Sequence, residues 1–180
     1  MPRIPLLFVS CSLVLGAALS AQAPTNGFAV PPQAIAELAT APPPPSASLS
    51  PQRRFLVLTT VEALPGLDVV ARPHTKLAGL RIDPSTWGRQ LDRRTTEIRL
   101  RDPNGGREFV VAVPPDHWSG PIWSADDRAF ALVREAEGGA ELWLADPATA
   151  PPQRVDGVRL NQVLGDAVQW LPDQRRLLVK

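Results

Sequence analysis

One short pattern occurs three times in this chain, and it limits the folds that the chain can adopt. An apolar residue is followed by a short polar turn containing Pro or Asp, then by an Arg and an apolar strand. The three copies cover residues 49–58, 123–132 and 170–179. Repetition at intervals of tens of residues is typical of stacked or radial architectures, and turn-plus-strand units of this kind indicate β-propellers. We therefore predict an all-β fold of the propeller type.

The spacing of the copies predicts how many propeller blades the chain contains. Ser50 and Ser124 are 74 positions apart, whereas Ser124 and Leu171 are 47 apart. A four-stranded blade takes roughly 40–50 residues, so the first interval holds one blade and an insertion. Residues 62–95 lack a clear period and are rich in Pro and Gly, and we place the insertion there, with one short strand at 77–82. We expect an incomplete β-propeller of about two blades plus the first strand of a third, over residues 52–180.

Two hairpins are predicted inside these blades. Apolar residues alternate on both sides of the Asn- and Gly-containing turn at 102–106, and residues 128–134 face residues 141–146 across Gly138 and Gly139. Asn and Gly tolerate the positive φ of tight hairpin turns. The residues expected to form the apolar blade faces are Phe55, Val57, Phe130, Leu132, Leu142, Leu144, Leu177 and Val179.

The beginning of the chain has a different character. Residues 1–23 read as a signal peptide with an apolar segment at 6–19 and small residues suited to cleavage between Ser20 and Ala23. We interpret Cys11 as an apolar residue of this segment, and we expect an exported, periplasmic or extracellular protein. Residues 24–51 form a proline-rich leader, in which a Pro start and the spacing of apolar residues predict one short helix at 32–40.

Composition excludes several classes of partner and cofactor. Lys and Arg total 19 and Asp and Glu total 18, a balance that gives no electrostatic reason to expect nucleic-acid binding. No segment after the signal is long and apolar enough to span a membrane. Cys11 is the single cysteine, so after signal cleavage no disulfide or cysteine metal site is expected. We predict no cofactor.

Residues that suggest catalysis have simpler explanations. The chain contains neither the G-x-S-x-G nucleophile motif nor a glycine-rich phosphate loop. His74 and His117 lack metal-ligand spacing. Asp116, His117 and Ser119 resemble a catalytic triad, but triads are assembled from residues distant in sequence, so we interpret this segment as a turn before the strand at Trp123.

The remaining polar and aromatic candidates are also interpreted as structural. Asp126 and Asp127 lie in a repeat turn, where Asp commonly bonds to its own backbone. Trp123, Trp143 and Trp170 occupy repeat positions and are expected to pack, whereas Trp87 and Trp118 are placed in loops. We therefore predict no catalytic, cofactor-binding or metal-binding residue in this chain.

Several segments resemble one peptidase family. They are Pro31-Pro32-Gln33-Ala34-Ile35, Ala41-Pro42-Pro43, Leu49-Ser50-Pro51, Lys76-Leu77-Ala78-Gly79-Leu80-Arg81-Ile82-Asp83, Glu141-Leu142-Trp143-Leu144-Ala145-Asp146, Arg159-Leu160-Asn161 and Leu164-Gly165. Together they resemble secreted prolyl oligopeptidase-family serine peptidases and the related plastid glutamyl endopeptidases. The segment at 77–82 and the proline-rich opening are the most specific of these similarities.

The resemblance implies a larger protein than this chain. Members of the family combine a propeller, which admits short or unfolded peptides, with a C-terminal α/β-hydrolase domain holding a Ser-Asp-His triad. Because this chain has none of the triad positions, we expect a non-catalytic, truncated propeller fragment whose partners are peptide substrates in the full-length context. The alternative is a periplasmic protein-binding propeller of the Tol-system type. The open blade edges of a truncated propeller also predict self-association.

Overall fold

The computed structural model describes residues 30–90, 93–147 and 151–180, and most of its elements are antiparallel β-strands. In chain order the elements are α1 (Gln33–Thr40), β1 (Ser46–Leu49), β2 (Leu56–Val61), α2 (Leu67–Val70), β3 (Thr75–Leu77), β4 (Leu80–Asp83), β5 (Gly88–Arg89), β6 (Thr95–Arg101), β7 (Glu108–Val110), β8 (Trp118–Trp123), β9 (Phe130–Arg134), β10 (Glu141–Ala145), β11 (Gln153–Arg154), β12 (Val168–Trp170) and β13 (Leu177–Val179). The all-β prediction is confirmed, and so is the short helix expected at 32–40.

The first sheet has four strands in the order β1-β2-β6-β7. Its hairpin from β6 to β7 turns where the sequence predicted, with Arg101 opposite Glu108. Strand β1 differs from expectation, because it lies inside the segment predicted as an extended leader and pairs along its whole length with β2. Strand β1 begins directly after Pro45. Proline has no backbone N–H group, and the residues Ser46–Leu49 supply the donors that a paired strand needs.

The second sheet also has four strands, and each is paired with its neighbour in sequence, in the order β11-β10-β9-β8. The predicted hairpin of β9 and β10 is confirmed, with Leu132 opposite Trp143. Phe130, Ala131, Leu132 and Val133 are all buried. Since successive side chains of a strand point to opposite faces, β9 is covered on both faces of its sheet.

Two smaller sheets accompany these. Residues predicted as a single strand at 77–82 instead form a hairpin: β3 and β4 pair across a turn at Ala78 and Gly79, both with positive φ. Strand β5 completes this three-stranded sheet, called here the insertion sheet. The segment expected to contribute one strand near residue 177 contributes a pair, β12 and β13. None of the four sheets formed by the described residues closes on itself.

The apolar core is divided between the two faces of the second sheet. One cluster joins it to the first sheet through residues such as Val57, Leu100 and Leu132, and the other joins it to the β12–β13 pair through residues such as Val133 and Val168. Of the predicted face residues, Phe55, Val57, Phe130 and Leu132 belong to the first cluster, and Leu142, Leu144 and Leu177 to the second. Val179 is 39% exposed.

The three sequence copies form three equivalent hairpins. They connect β1 to β2, β8 to β9 and β12 to β13, and the residues that face each other across the turns are Leu49 with Leu56, Trp123 with Phe130, and Trp170 with Leu177. In each turn the first residue donates its N–H to the carbonyl five positions later, at 2.9 Å. The fourth residue has positive φ in every copy: Arg53 at 58°, Asp127 at 57° and Gln174 at 55°. The repeat is therefore a structural unit as well as a sequence pattern.

No helix among the described residues is long and apolar enough to cross a membrane. The predicted signal peptide at 1–23 and the first residues of the leader lie outside the described part of the chain.

Candidate functional site

A buried cluster of charged side chains lies between the insertion sheet and the second sheet. Arg72 follows α2, Asp83 ends β4, His117 precedes β8 and Glu135 follows β9. Arg72 Nη1 lies 3.2 Å from Glu135 Oε2 and 3.4 Å from Asp83 Oδ2. On the other side, His117 Nδ1 lies 3.3 Å from the same Glu135 Oε2. The two carboxylates and the imidazole are almost completely buried, at 2–8% exposed.

The turn that follows β4 contacts both carboxylates of the cluster. Asp83 is the last residue of β4, and its Oδ1 accepts hydrogen bonds from the backbone N–H of Ser85, at 2.9 Å, and from the Ser85 hydroxyl, at 2.6 Å. Thr86 in the same turn donates its hydroxyl to Glu135 Oε1 at 3.4 Å. The turn after β4 thus supplies polar groups to both carboxylates, which fixes the insertion sheet against the second sheet.

The pKa values of the two carboxylates are shifted in opposite directions. Burial raises the pKa of Glu135, and the electrostatic interactions with His117 and Arg72 offset only part of this rise. Burial also opposes ionisation of Asp83, but the hydrogen bonds from Ser85 and the contact with Arg72 outweigh it and hold the pKa of Asp83 below its usual range. The cluster therefore keeps one firmly ionised carboxylate beside one that holds its proton more readily.

The triad-like sequence at 116–119 does not form a triad. The backbone N–H of His117 donates to Asp116 Oδ1 at 2.8 Å, and its Nδ1 lies 3.6 Å from the same oxygen. The Asp116 carboxylate is instead bound by Arg134, whose Nη2 lies 2.7 Å from Oδ2. Ser119 lies in β8, and its hydroxyl makes no hydrogen bond within the described residues. The interpretation of this segment as a turn was wrong, because Trp118, Ser119 and Gly120 lie in β8 and His117 is buried directly before that strand.

The hydroxyl groups around the cluster and the other histidine, His74, have partners of their own. The hydroxyls that reach it, from Ser85 and Thr86, donate to carboxylates and not to His117. Among residues 30–90, 93–147 and 151–180, no group of three or more His, Cys, Asp or Glu is placed to hold a metal ion. His74 Nδ1 lies beside the carbonyl oxygen of Arg72, at 3.3 Å. The arrangement is suited to joining two sheets by charge-assisted hydrogen bonds.

Sequence reasoning missed Arg72, Asp83 and Glu135 as members of this cluster. They are separated by up to 63 residues and carry no motif. The irregular composition of 62–95 predicted an insertion, but it gave no indication of which charges the insertion would bring to the second sheet.

The paired acidic residues of the second turn have separate structural roles. Asp126 behaves as predicted: its Oδ1 accepts from the backbone N–H of Arg128 at 3.1 Å. Asp127 does not bond to its own turn. Its carboxylate accepts from the Ser50 hydroxyl at 2.6 Å and from the backbone N–H of Gln52 at 3.1 Å, both in the first turn. Asp127 therefore links two copies of the repeat.

The tryptophans at repeat positions pack as expected. Trp123 stacks on Phe55 at 5.5 Å between ring centroids, and Trp143 contacts Trp118 edge-on at the same separation. Trp170 also donates its indole N–H to the carbonyl of Ile122 at 2.9 Å. Placing Trp118 in a loop was wrong, because it begins β8 and is 7% exposed.

Comparison with known proteins gives a consistent set of relatives. No family model matches the chain. A probable glutamyl endopeptidase of Arabidopsis thaliana chloroplasts is 46% identical over 170 residues, covering 86% of this chain and 17% of that protein. A protein of the same description from Oryza sativa subsp. japonica is 33% identical over 167 residues, covering 84% of this chain and 18% of that protein.

Among solved structures, a protein described as a dipeptidyl aminopeptidase IV from Bacteroides ovatus aligns with 74% of this chain and 20% of its own, at a TM-score of 0.44 and 12% identity. The chain spans less than a fifth of the length of the curated relatives it matches. The sequence similarity over most of this chain supports a relationship to a family of peptidases.

Proposed function

We propose that this chain is the non-catalytic N-terminal propeller part of an exported serine peptidase of the prolyl oligopeptidase family, similar to the glutamyl endopeptidases. The observation that carries the proposal is the 46% identity to the Arabidopsis protein over 86% of this chain but only 17% of that protein. The chain corresponds to a fragment of a peptidase, and the remaining parts of such a protein would include the chemistry that cleaves peptides.

The packing of the sheets supports a propeller. Both large sheets have four antiparallel strands in sequential or nearly sequential order, and they pack face to face through one apolar cluster. The β12–β13 pair packs on the opposite face of the second sheet through the other cluster. Successive four-stranded sheets stacked in this way are the construction of propeller blades.

The role that we propose for this part is control of peptide access. In the absence of a G-x-S-x-G motif in the chain, hydrolysis would depend on an α/β-hydrolase domain elsewhere in the longer protein. The propeller would limit entry to short or unfolded peptides. We also propose that residues 1–23 direct export and are removed, which N-terminal sequencing of the exported protein tests directly.

A chimera tests the central proposal. The segment of the Arabidopsis protein that aligns with this chain is replaced by this chain, and hydrolysis is measured on a short peptide and on the same cleavage site placed within a folded protein. We expect the chimera to cleave the short peptide and to spare the folded protein, and the Arabidopsis protein lacking the segment to lose this selectivity or its fold.

The isolated chain is the matched control. We expect it neither to hydrolyse the peptide nor to react with a fluorophosphonate probe. Specific labelling of a serine in the isolated chain contradicts the proposal, and a folded chimera without activity contradicts it as well, favouring a protein-binding module instead.

A further inference from the structure

The buried charged cluster has more carboxylates than permanent cations. Asp83 and Glu135 are 2% and 8% exposed, and both contact the same guanidinium nitrogen, Nη1 of Arg72. A buried ionised carboxylate is costly unless a cation compensates its charge. Because one permanent cation serves two carboxylates, the charges of the cluster balance only when it also holds one proton.

The surroundings of His117 indicate which group takes this proton. Its Nδ1 faces Glu135 Oε2 at 3.3 Å, whereas its Nε2 is buried and has no hydrogen-bond partner among the described residues. A protonated imidazole would place a charged N–H donor at Nε2 with no acceptor, and an unsatisfied buried group costs most when it is charged. The neutral imidazole with its proton on Nδ1 avoids this cost and donates to Glu135. The additional proton therefore belongs on Glu135.

Glu135 has hydrogen-bond partners in both of its charge states. Its Oε1 lies 3.4 Å from the Thr86 hydroxyl, which can donate to a carboxylate or accept from a carboxylic acid. Burial is the largest cause of the raised pKa of Glu135, and the charge of Asp83 adds to the rise. Glu135 thus loses its proton at a higher pH than an exposed glutamate does.

The other charged and titratable groups near the cluster are Asp116, Arg134, Glu137 and His74. Asp116 and Arg134 pair with each other, since Arg134 Nη2 lies 2.7 Å from Asp116 Oδ2. Glu137 is exposed to solvent, and His74 Nδ1 lies beside the main-chain carbonyl oxygen of Arg72 and not beside a carboxylate. Within the described residues, none of these groups supplies a second cation to Asp83 or Glu135.

The charge state of Glu135 bears on the contact between two sheets. Arg72 and Asp83 belong to the insertion, whereas Glu135 follows β9 of the second sheet. A main-chain hydrogen bond crosses the same boundary, because Gly138 N donates to Ser85 O at 2.8 Å. We propose that the cluster is a pH-sensitive junction, which holds the insertion sheet against the second sheet while Glu135 is protonated and loosens when Glu135 ionises.

The direction of the pH dependence follows from proton linkage. A group whose pKa is raised by folding stabilises the folded arrangement below its usual pKa, and this contribution is lost as pH rises through the pKa of the folded state. Asp83 acts in the opposite sense, because its pKa is lowered and its contribution is lost as pH falls. The junction is therefore strongest in acidic solution and weakens towards neutral and alkaline pH, until strong acid protonates Asp83.

Hydrogen exchange of the Gly138 amide in the full chain measures the junction between about pH 5 and about pH 8. Dividing by the exchange rate of an unstructured peptide of the same sequence removes the intrinsic pH dependence of exchange. The ¹³C signal of the Glu135 side-chain carboxyl, followed in parallel, gives the midpoint of its titration. We expect protection of Gly138 to fall as pH rises through this midpoint, about tenfold for each pH unit that separates the midpoint from the ordinary pKa of glutamate. The ¹⁵N shifts of the His117 imidazole should remain those of the neutral Nδ1–H form.

Glu135→Gln removes the titrating group and retains its size. We expect this variant to protect the Gly138 amide equally throughout the pH range. Two matched controls remove neighbouring titratable groups: Glu137→Gln replaces an exposed carboxylate two residues away, and His74→Gln replaces the other histidine near Arg72. Both controls should keep the pH profile of the wild type.

The junction proposal is overturned if the wild-type protection does not change with pH, if the change persists in Glu135→Gln, or if either control abolishes it. A variant that fails to fold leaves the wild-type signals to decide. A Glu135 midpoint at the ordinary glutamate value, a Gly138 midpoint that differs from it, or protonation of His117 at the same midpoint would each refute the assignment. These measurements require no peptidase activity, so their outcome is separate from that of the chimera.

Discussion

The carboxylate of Asp127 is predicted to hold the first two repeat turns together, and its removal tests that link. The side chain is buried and accepts hydrogen bonds from Ser50 Oγ at 2.6 Å, from Gln52 N at 3.1 Å and from Arg54 N at 3.4 Å. Asp127→Ala leaves these three donors without an acceptor.

The magnitude follows from these contacts. A hydrogen bond to a charged group contributes about 1.5–3 kcal/mol, and a buried unsatisfied donor costs about 1–3 kcal/mol. Because the donors share one carboxylate, the terms do not add fully, and we expect Asp127→Ala to lower the free energy of unfolding by about 3–5 kcal/mol. Asp127→Asn keeps the shape and an acceptor, so it should cost about 1–2 kcal/mol.

Urea unfolding followed by circular dichroism measures these differences. Arg128→Ala is the control, since its side chain is 81% exposed and the substitution should change stability by less than about 0.5 kcal/mol. A double-mutant cycle of Ser50→Ala with Asp127→Asn should give coupling of about 1 kcal/mol. For variants too unstable to titrate, faster hydrogen exchange of the Gln52 amide reports the same loss. No coupling, together with an unchanged Gln52 amide, would show that the two turns are not linked through Asp127.

Three further predictions concern the other junctions. Trp170→Phe removes the hydrogen bond to Ile122 O and should cost about 1 kcal/mol in urea unfolding; an effect near zero would mean that the indole contributes only its packing. Gly139→Ala should destabilise the chain by about 1–3 kcal/mol more than Gly138→Ala. A Cβ at position 139 would lie 2.9 Å from the Trp87 ring, whereas a Cβ at position 138 would have no other atom within 4 Å. Equal losses of stability for the two variants would refute this reasoning. Because the folded protein holds the pKa of Asp83 below its usual value, the ionised carboxylate stabilises the fold at pH values above that usual pKa. This stabilisation is lost as the pH falls through the pKa that Asp83 has in the folded state, so the free energy of unfolding should decline below about pH 4. Asp83→Asn should make that decline shallower, and an unchanged pH profile would contradict it.

Local patterns in the sequence predicted the hairpins well. The turn at 102–106 and the glycines at 138–139 impose backbone conformations that few other residues adopt, and both hairpins are present in the structure. The repeat predicted three equivalent units for a similar reason, because each copy places an apolar pair on either side of a tight turn. Strand β1 was missed, since its four residues follow a run of prolines and their alternation, Ser-Ala-Ser-Leu, is short and weakly apolar.

The charged cluster could not have been predicted in the same way. Its members come from four separate elements, and the insertion sheet determines which of them meet. The segment at 77–82 was predicted as one short strand within an irregular region, whereas Ala78 and Gly79 form a turn inside it. Without that hairpin the position of Asp83 beside Arg72 cannot be inferred. The sequence alone also places His117 in a turn.

The residue with positive φ in each repeat turn shows how the copies are joined. In the second and third copies this residue is an acceptor for the turn before it: Asp127 binds the first turn, and Gln174 Oε1 accepts from the backbone N–H of Ala125 in the second at 2.5 Å. The first copy has Arg53 at this position, and a guanidinium can only donate. No repeat turn precedes Arg53 in the described residues, so an acceptor there would have no donor to bind.

The fourth turn residue, which differs between the copies, therefore links neighbouring hairpins, while the shared apolar positions form the hairpins themselves. Any further hairpin that stacks on the third turn in the same way would place an acceptor side chain at this position.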